Sequence, residues 1–276
     1  MNPDRFTGAG TDQAAEAPFD RAAIEYDRLF EENPVTETIR PLVWRSMLNR
    51  FKPGSHILEL NCGTGTDAIM LAGHGMHVTA TDASAEMISQ ARSKIRQHHV
   101  ESSVTLKRMN FEDIHSMNGE TFDGAFSNFG GLNCARELPP TLAGLSAVMK
   151  PGSYFIACVM NRISLWEIIS FLARGRWSAA FRRLRSGGVD ISLNGSSLHV
   201  RYYSPGEFAK LLAPWFLVER IYGLNILSPS PNSRTFVLEH PGSTRRLLEF
   251  DNRIRFRFPW HSLGDHFVVE SRRKTP

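Results

Sequence analysis

The run Glu59-Leu60-Asn61-Cys62-Gly63-Thr64-Gly65-Thr66-Asp67 stands where a short apolar segment, His56 to Leu60, gives way to a helix-period stretch. Glycines at such a junction let the backbone turn sharply and approach a ligand, and the first amides of the helix face it without partners. This is the turn of a nucleotide-type cofactor. Asp82, at the end of the next apolar segment, follows Gly63 by nineteen residues. At that spacing a carboxylate can accept from both hydroxyls of an adenosine ribose. Gly63-x-Gly65-x-x-Ala68 by itself also satisfies the dinucleotide fingerprint. Glu59 separates the two: a negative charge at the mouth of the turn repels a pyrophosphate and favours a ligand bearing an ammonium and a sulfonium. Asp67 adds a second acid at the helix start, where complementing the helix dipole is an equally good reason for it.

These residues need elements to hold them. From Phe51 onward short apolar runs alternate with helix-period stretches, the pattern of βαβ units and a mainly parallel sheet. Strands are expected at His56–Leu60, His77–Thr81, Ser103–Met109, Phe122–Ser127 and Ser153–Met160. Helices are expected at Asp67–Gly73, from a Ser84 cap to His98, and at Glu137–Met149 with Pro139 and Pro140 in the first turn. Beyond lie a helical Arg162–Arg185, an edge strand Leu198–Tyr203, a helix Pro205–Leu212 and a strand Phe216–Leu227. An extra strand and helix across Arg234–Ile254 and a final strand Asp265–Ser271 complete the expectation.

Composition narrows the class. With 276 residues, 42% hydrophobic and 22% charged, the chain is neither disordered nor a membrane bundle. Its longest uninterrupted apolar run, Tyr154 to Met160, is seven residues against the twenty or so of a bilayer span. Cys62, Cys134 and Cys158 are too far apart for a zinc spacing and odd in number, so no metal site is expected and a reducing cytoplasm fits best. Residues 1–18 read as a flexible tail. A net charge of +4 is too small for a dedicated nucleic-acid binder, and no nucleic-acid module is apparent. That charge is gathered in Arg162–Arg185, where six arginines face one acid, Glu167.

Together the motifs resemble the class I S-adenosylmethionine-dependent methyltransferases of the small-molecule type. Their first motif is an acid followed by x-Gly-x-Gly-x-Gly; here Asn61 takes the place of the first glycine, a position its tolerance of left-handed backbone suits. The resemblance implies S-adenosyl-L-methionine as cofactor and a Rossmann-like, doubly wound α/β fold. Its seven-stranded sheet would be mostly parallel with the last strand antiparallel. It implies that Glu59 and the loop Asn61, Cys62, Gly63, Thr64 and Gly65, with Asp67 beside it, hold the methionine part. Asp82 would hold the ribose, and Ala83 and Met87 would lie beside the adenine. Asn110 would accept from the adenine amine, with Asp113 as a competitor, and the Phe111 amide would serve the ring nitrogen. Asn128, at the end of the strand-four motif, would approach the reacting methyl group. Phe19-Asp20 through Tyr26-Asp27 is similar to a lid helix. The implied layout is one domain over 19–276: lid 19–50, cofactor core 51–160, an insert over the acceptor pocket at 161–203, and the remainder of the sheet at 204–276.

Methyl transfer from a sulfonium is an in-line displacement that asks the protein mainly for orientation and exclusion of water. A base would help a hydroxyl or amine acceptor, and His199, Tyr26 and Asn128 are the weak candidates. Asn133 is a further group for orienting the acceptor, and Cys134 reads as packing. In Arg162–Arg185, Trp166, Ile169, Ala173, Trp177, Ala180 and Leu184 form one apolar stripe along a helix or a pair of helices interrupted near Gly175, with Glu167, Ser170, Arg174, Ser178, Arg182 and Arg185 opposite. Such a segment caps an acceptor pocket, packs on the core as a plain solvated helix, or rests weakly on an anionic membrane surface. The acceptor expected is a bulky small molecule, partly apolar or lipid-like. The alternatives are an NAD(P)-dependent reductase using the same turn and a non-catalytic membrane or nucleic-acid adaptor.

Overall fold

Near-continuous burial marks strands covered on both faces. β1 (His56–Leu60) is buried at all positions but the first. After it come α2 (Thr66–Gly73), β2 (His77–Asp82), α3 (Ala85–Gln97), β3 (Val104–Arg108) and β4 (Phe122–Ser127), with α1 (Pro34–Arg50) preceding β1. Next are α4 (Leu138–Val148), β5 (Met149–Met160), α5 (Leu165–Ala173), α6 (Trp177–Ala180), β6 (Val189–Leu193) and β7 (Ser196–Val200). The chain then forms α7 (Pro205–Leu212), β8 (Phe216–Leu224), α8 (Arg234–Glu239), α9 (Pro241–Ile254) and β9 (His266–Arg273). The computed structural model describes residues 19–275 apart from 22, 25, 32, 118 and 194, so the tail expected over 1–18 lies outside the described residues.

Sheet order is β3-β2-β1-β4-β5-β9-β8, parallel from β3 to β5, with β9 antiparallel to both its neighbours. Val43 and Met47 of α1, Leu71 of α2 and Ile88 of α3 pack with Phe126 and Ile156. Leu142 and Leu145 of α4 and Phe208 and Leu212 of α7 pack with Phe155 and Phe267 in a second cluster. Helices thus cover both faces, giving the Rossmann-like doubly wound sheet of seven strands. Local caps agree with it: Ser84 Oγ accepts from Met87 N at 3.0 Å to start α3, and Ser204 with Glu207 forms a capping box on α7. Among the described residues no helix is long and apolar enough to cross a membrane.

Three expectations are corrected. Arg234–Ile254 holds two helices and no strand, because Phe236 stacks on Trp166 with ring centroids 4.9 Å apart and Val237 is buried, a tertiary use that overrides strand-like composition. β7 is not an edge strand of the sheet but pairs with β6 alone. The third concerns Arg162–Arg185, which forms the pair of helices, α5 and α6, interrupted at Gly175, φ +70°, that the spacing allows, but does not line the pocket with its aromatic residues. Its apolar stripe faces outward at Ile169, Trp177 and Leu184, while Glu167 is buried. Periodicity locates the stripe, but the ion pairs of Glu167 with Arg182 and Arg183 decide which side turns inward.

The loop after β8 is held by one buried carboxylate. Asp251 of α9 accepts from the amides of Ile226, Leu227 and Ser228 at 2.9, 2.9 and 3.1 Å, and from Ser228 Oγ at 2.7 Å. Asp251→Ala strands those donors and is expected to lower the unfolding free energy in urea by about 3 kcal/mol, with Asp251→Asn losing less. An unchanged urea midpoint for Asp251→Ala would contradict this role.

Candidate active site

The carboxyl edge of a doubly wound sheet is where its ligands bind. Here that edge opens on a cavity of about 1000 Å³, at the upper end of the range for small-molecule pockets. It runs from the ends of β2 and β3 to those of β5 and the start of β9. Four strand spacings separate β2 from β9, about 19 Å, so two ligands fit end to end.

At the β1–α2 turn Asn61, Gly63 and Gly65 all adopt left-handed backbone, φ 55°, 53° and 84°. Asn61 supports this without being glycine by bonding across to β4: its Nδ2 donates to the Asn128 carbonyl at 2.9 Å and its Oδ1 accepts from Ser127 Oγ at 2.5 Å. Gly131 makes room for it, since a Cβ there would fall 2.1 Å from Asn61 Cγ. Asp82 Oδ2 accepts from the Gly63 amide at 2.9 Å and Oδ1 from the Ser84 amide at 3.0 Å. Burial raises its carboxyl above the ordinary aspartate value, against the lowering effect of those amides.

Asn61, Cys62, Gly63 and Asp67 line the cavity beside Tyr26. So do Asp82, Ala83 and Met87, and further along Asn110, Phe111 and Asp113. Thr64 and Gly65 are not among the lining residues. Thr64 is buried and donates to Asp27 Oδ1 at 2.5 Å, while a Cβ at Gly65 would lie 3.2 Å from Ala91 Cβ of α3. Glu59 does not stand at the mouth of the turn. It is 1% exposed inside β1, in register with Ala80 and Phe126, so the acids that face the cavity beside the turn are Asp67 and Asp82. Asp67 is itself engaged at both oxygens: Arg40 Nη1 and Trp44 Nε1 donate to Oδ1 at 2.6 Å each, and Asn128 Nδ2 to Oδ2 at 2.8 Å. Burial pushes the Cys134 and Cys158 thiols up to about 12 and the Cys62 thiol well up, so none is a ready nucleophile.

The segment before α1 is fastened to this turn at two points. Lys94 Nζ lies 2.9 Å from Asp27 Oδ2 and bonds Thr66 Oγ1 at 2.9 Å, beside the Thr64–Asp27 bond. Ser84 Oγ donates to Asp20 Oδ1 at 2.5 Å.

The other half of the cavity has an apolar wall. Val189, Ile191 and Leu193 of β6 and Leu198 and Val200 of β7 face it, with Met160 and Tyr202 beside them. His199, a candidate base, lies outside: period-two alternation puts it on the exposed side of β7, held by Asp190 and the Gly187 carbonyl at 2.8 Å each. Asn133 is absorbed by the backbone, bonding Met160 and Arg201. Asn128 lines the cavity with its amide engaged by Asp67 and by the Phe129 N–H.

His266 is the residue sequence reasoning missed. It pairs with Met160 at the start of β9 and lines the cavity. Its Nδ1 lies 2.9 Å from Asp265 Oδ2, and its ring stands edge-on to Phe129. The signal was present: an antiparallel last strand brings its first residues to the edge where the parallel strands end. Asp265 Oδ1 accepts from Arg183 Nη2 at 2.7 Å and from Ser164 Oγ at 3.2 Å. The Arg183 guanidinium holds the Asp265 carboxyl well below the usual carboxylate range, against its burial. Arg183, 5% exposed, also donates to Glu167 and lies over the Tyr202 ring at 4.8 Å. Among the described residues no cluster of three or more His, Cys, Asp or Glu is placed to hold a metal ion.

Comparison with known proteins points the same way. Residues 57–152 match the family model described as a methyltransferase domain. The chain is 34% identical over 110 residues to the S-adenosyl-L-methionine-dependent Diels-Alderase of Talaromyces variabilis, covering 40% of this chain and 37% of that protein. It is 32% identical over 145 residues to the demethylmenaquinone methyltransferase of Symbiobacterium thermophilum, covering 50% and 55%. These matches span less than two thirds of either relative. The S-adenosylmethionine-dependent methyltransferase from Mesorhizobium loti superposes with a TM-score of 0.56 at 19% identity, over 86% of this chain and 98% of that one, which shows the shared fold. The NAD(P)-dependent reductase and adaptor alternatives find no support among them. With its glycine turn, the acid after β2 and its sheet order on the same edge, the chain has the fold of that S-adenosylmethionine-dependent methyltransferase, and its residues 57–152 match a methyltransferase domain.

Proposed function

We propose that this protein binds S-adenosyl-L-methionine at Asp82 and the Asn61–Gly63 turn and methylates a bulky, largely apolar, lipid-like small molecule held against the β6–β7 hairpin. One observation carries the reading: a single cavity joins the acid-and-glycine end to the apolar end. The residues fit the cofactor. Asp82 has one side of each oxygen on a backbone amide and keeps lone pairs for ribose hydroxyls, and the left-handed turn leaves at Gly63 a space that a side chain would narrow. Asn110 and the Phe111 amide serve the adenine edge. When bound, the cofactor supplies a methyl group already activated on a positively charged sulfur.

The chain's own residues do the rest. The hairpin wall and Tyr202 orient the acceptor and exclude water. His266, whose Nδ1 lies beside the Asp265 carboxylate, offers Nε2 to the proton of an acceptor hydroxyl, while Arg183 keeps Asp265 ionised. Residues 19–50 serve as a lid through Asp20 and Asp27, and 161–203 cover the acceptor chamber. The exposed Ile169, Trp177 and Leu184 among the arginines of Arg162–Arg185 support a weak contact with a membrane surface, from which a lipid-like acceptor would enter. The three free cysteines suit a reducing cytoplasm.

Calorimetry with S-adenosylmethionine tests the cofactor half: Asp82→Ala is expected to weaken binding roughly ten- to hundredfold through loss of charge-assisted hydrogen bonds. The Asp82 carboxyl must be ionised to accept from both hydroxyls, and its value is raised. Affinity should therefore fall with decreasing pH sooner than an ordinary aspartate would dictate, and Asp82→Asn should flatten that dependence. No binding heat from folded protein would end the proposal. Incubation with methyl-labelled cofactor and a cell extract split into lipid, small-molecule, RNA and protein pools tests the acceptor half, with label expected in the lipid pool. His266→Asn should slow labelling about 10²-fold or more while leaving cofactor affinity unchanged. A converted but unlabelled product would instead align the chain with its Diels-Alderase relative.

A further inference from the structure

The C-terminal part of the chain presents apolar side chains that neither the core nor the cavity uses. Phe258 is 83% exposed, and Phe250, Phe256 and Leu238 are exposed as well. Arg245, Arg246, Arg253 and Arg257 are exposed among them, and between Arg245 and Pro259 the one exposed acid is Glu249. The base beneath is firm. Asp251 and Arg255 are buried, the Gly223 amide donates to the Arg255 carbonyl at 2.9 Å, and Phe256 rests on Tyr222 with ring centroids 5.3 Å apart. Phenylalanines held outward on a rigid base and ringed by arginines mark a surface that another phase or molecule covers.

We propose that Phe250–Pro259 is an anchor that inserts Phe256 and Phe258 into the headgroup region of an anionic bilayer. Charge complementarity selects that occupant, because the four arginines meet lipid phosphates while the rings enter the acyl boundary. A second copy of the chain is disfavoured: a two-fold contact would set these arginines against themselves. The anchor is coupled to the arginine segment already proposed to touch the membrane. The Leu165 amide of α5 donates to the Leu263 carbonyl at 2.9 Å, and Trp166 of α5 stacks on Phe236 of α8. α5 thus contacts the residues that flank the C-terminal patch on either side, Phe236 of α8 and Leu263, and is followed by the patch of Trp177 and Phe181 with exposed Arg174 and Arg176. Two attachments on one chain bind more tightly than either alone where both reach the same surface. This inference rests on the lipid-like acceptor reading and assigns it a second point of membrane contact.

The test is co-sedimentation of the full chain with phosphatidylcholine vesicles with and without phosphatidylglycerol, with an oligouridylate titration alongside. Binding is expected to the anionic vesicles only, to weaken with added salt, and to drop about tenfold in Phe258→Ser. Arg253→Ser/Arg257→Ser should drop similarly, and either change should combine with Trp177→Ser to abolish sedimentation. Wild-type vesicle binding by Phe258→Ser and by Arg253→Ser/Arg257→Ser overturns the anchor, as does oligouridylate binding without vesicle binding. Calorimetry with S-adenosylmethionine on the same preparations separates the two readings: a protein that binds vesicles through Phe258 but gives no cofactor heat retains the anchor and loses the methyltransferase assignment.

Discussion

One carboxylate ties the glycine-turn half of the cavity together. Asp82 takes the Gly63 amide with one oxygen and the Ser84 amide with the other, so the turn after β1 and the helix start after β2 have a common fixed point. The segment before α1 attaches to the neighbours of those same residues, Asp27 at Thr64 and Asp20 at Ser84. Whatever loosens Asp82 therefore loosens the turn and its cover at once. The left-handed backbone at Asn61 is held by its own bonds to Ser127 and the Asn128 carbonyl, because a residue with a side chain persists there only where surrounding contacts over-determine it.

The apolar half of the cavity is organised by a buried cation. Arg183 sits between Glu167 of α5 and Asp265 at the start of β9, and it tethers the insert to the sheet edge. A buried ion pair of this kind adds little net stability, yet losing one partner strands the other charge, so the arrangement fixes geometry more than it strengthens the fold. Its consequence is a chamber with apolar walls from the β6–β7 hairpin and a polar corner at Asp265 and His266. It also turns the apolar stripe of α5 and α6 outward, which is why the insert carries exposed aromatic residues next to arginines.

The parallel half was legible in the sequence because each level agreed. Apolar runs, the Ser84 cap and the Gly63–Asp82 spacing all point to the same elements, and strand and helix limits fall within a few residues of expectation. Legibility fails where a long-range partner decides. Arg234–Glu239 is a helix because Trp166 is there to receive Phe236, a contact across 70 residues. Glu59 has the right type and spacing for the mouth of the turn, but it lies inside the central strand of the parallel half. His199 and His266 fall on either side of this limit. Alternation along β7 already sets His199 opposite the inward Leu198 and Val200, and the antiparallel last strand already brings its first residues to the ligand edge. The first inference cannot be drawn until the pairing of β6 with β7 is known, whereas the second was open to the sequence, where the last strand is already expected to run antiparallel.

The central claim is that this edge cradles a sulfonium nucleoside, with the sugar on Asp82 and the sulfur turned toward the apolar chamber. A crystal structure with S-adenosylhomocysteine tests it most directly. The account predicts both ribose hydroxyls within hydrogen-bond distance of the Asp82 carboxylate and the amino-acid part along Asn61–Gly63. Electron density for the ligand elsewhere, or a ribose that leaves Asp82 untouched, would contradict it.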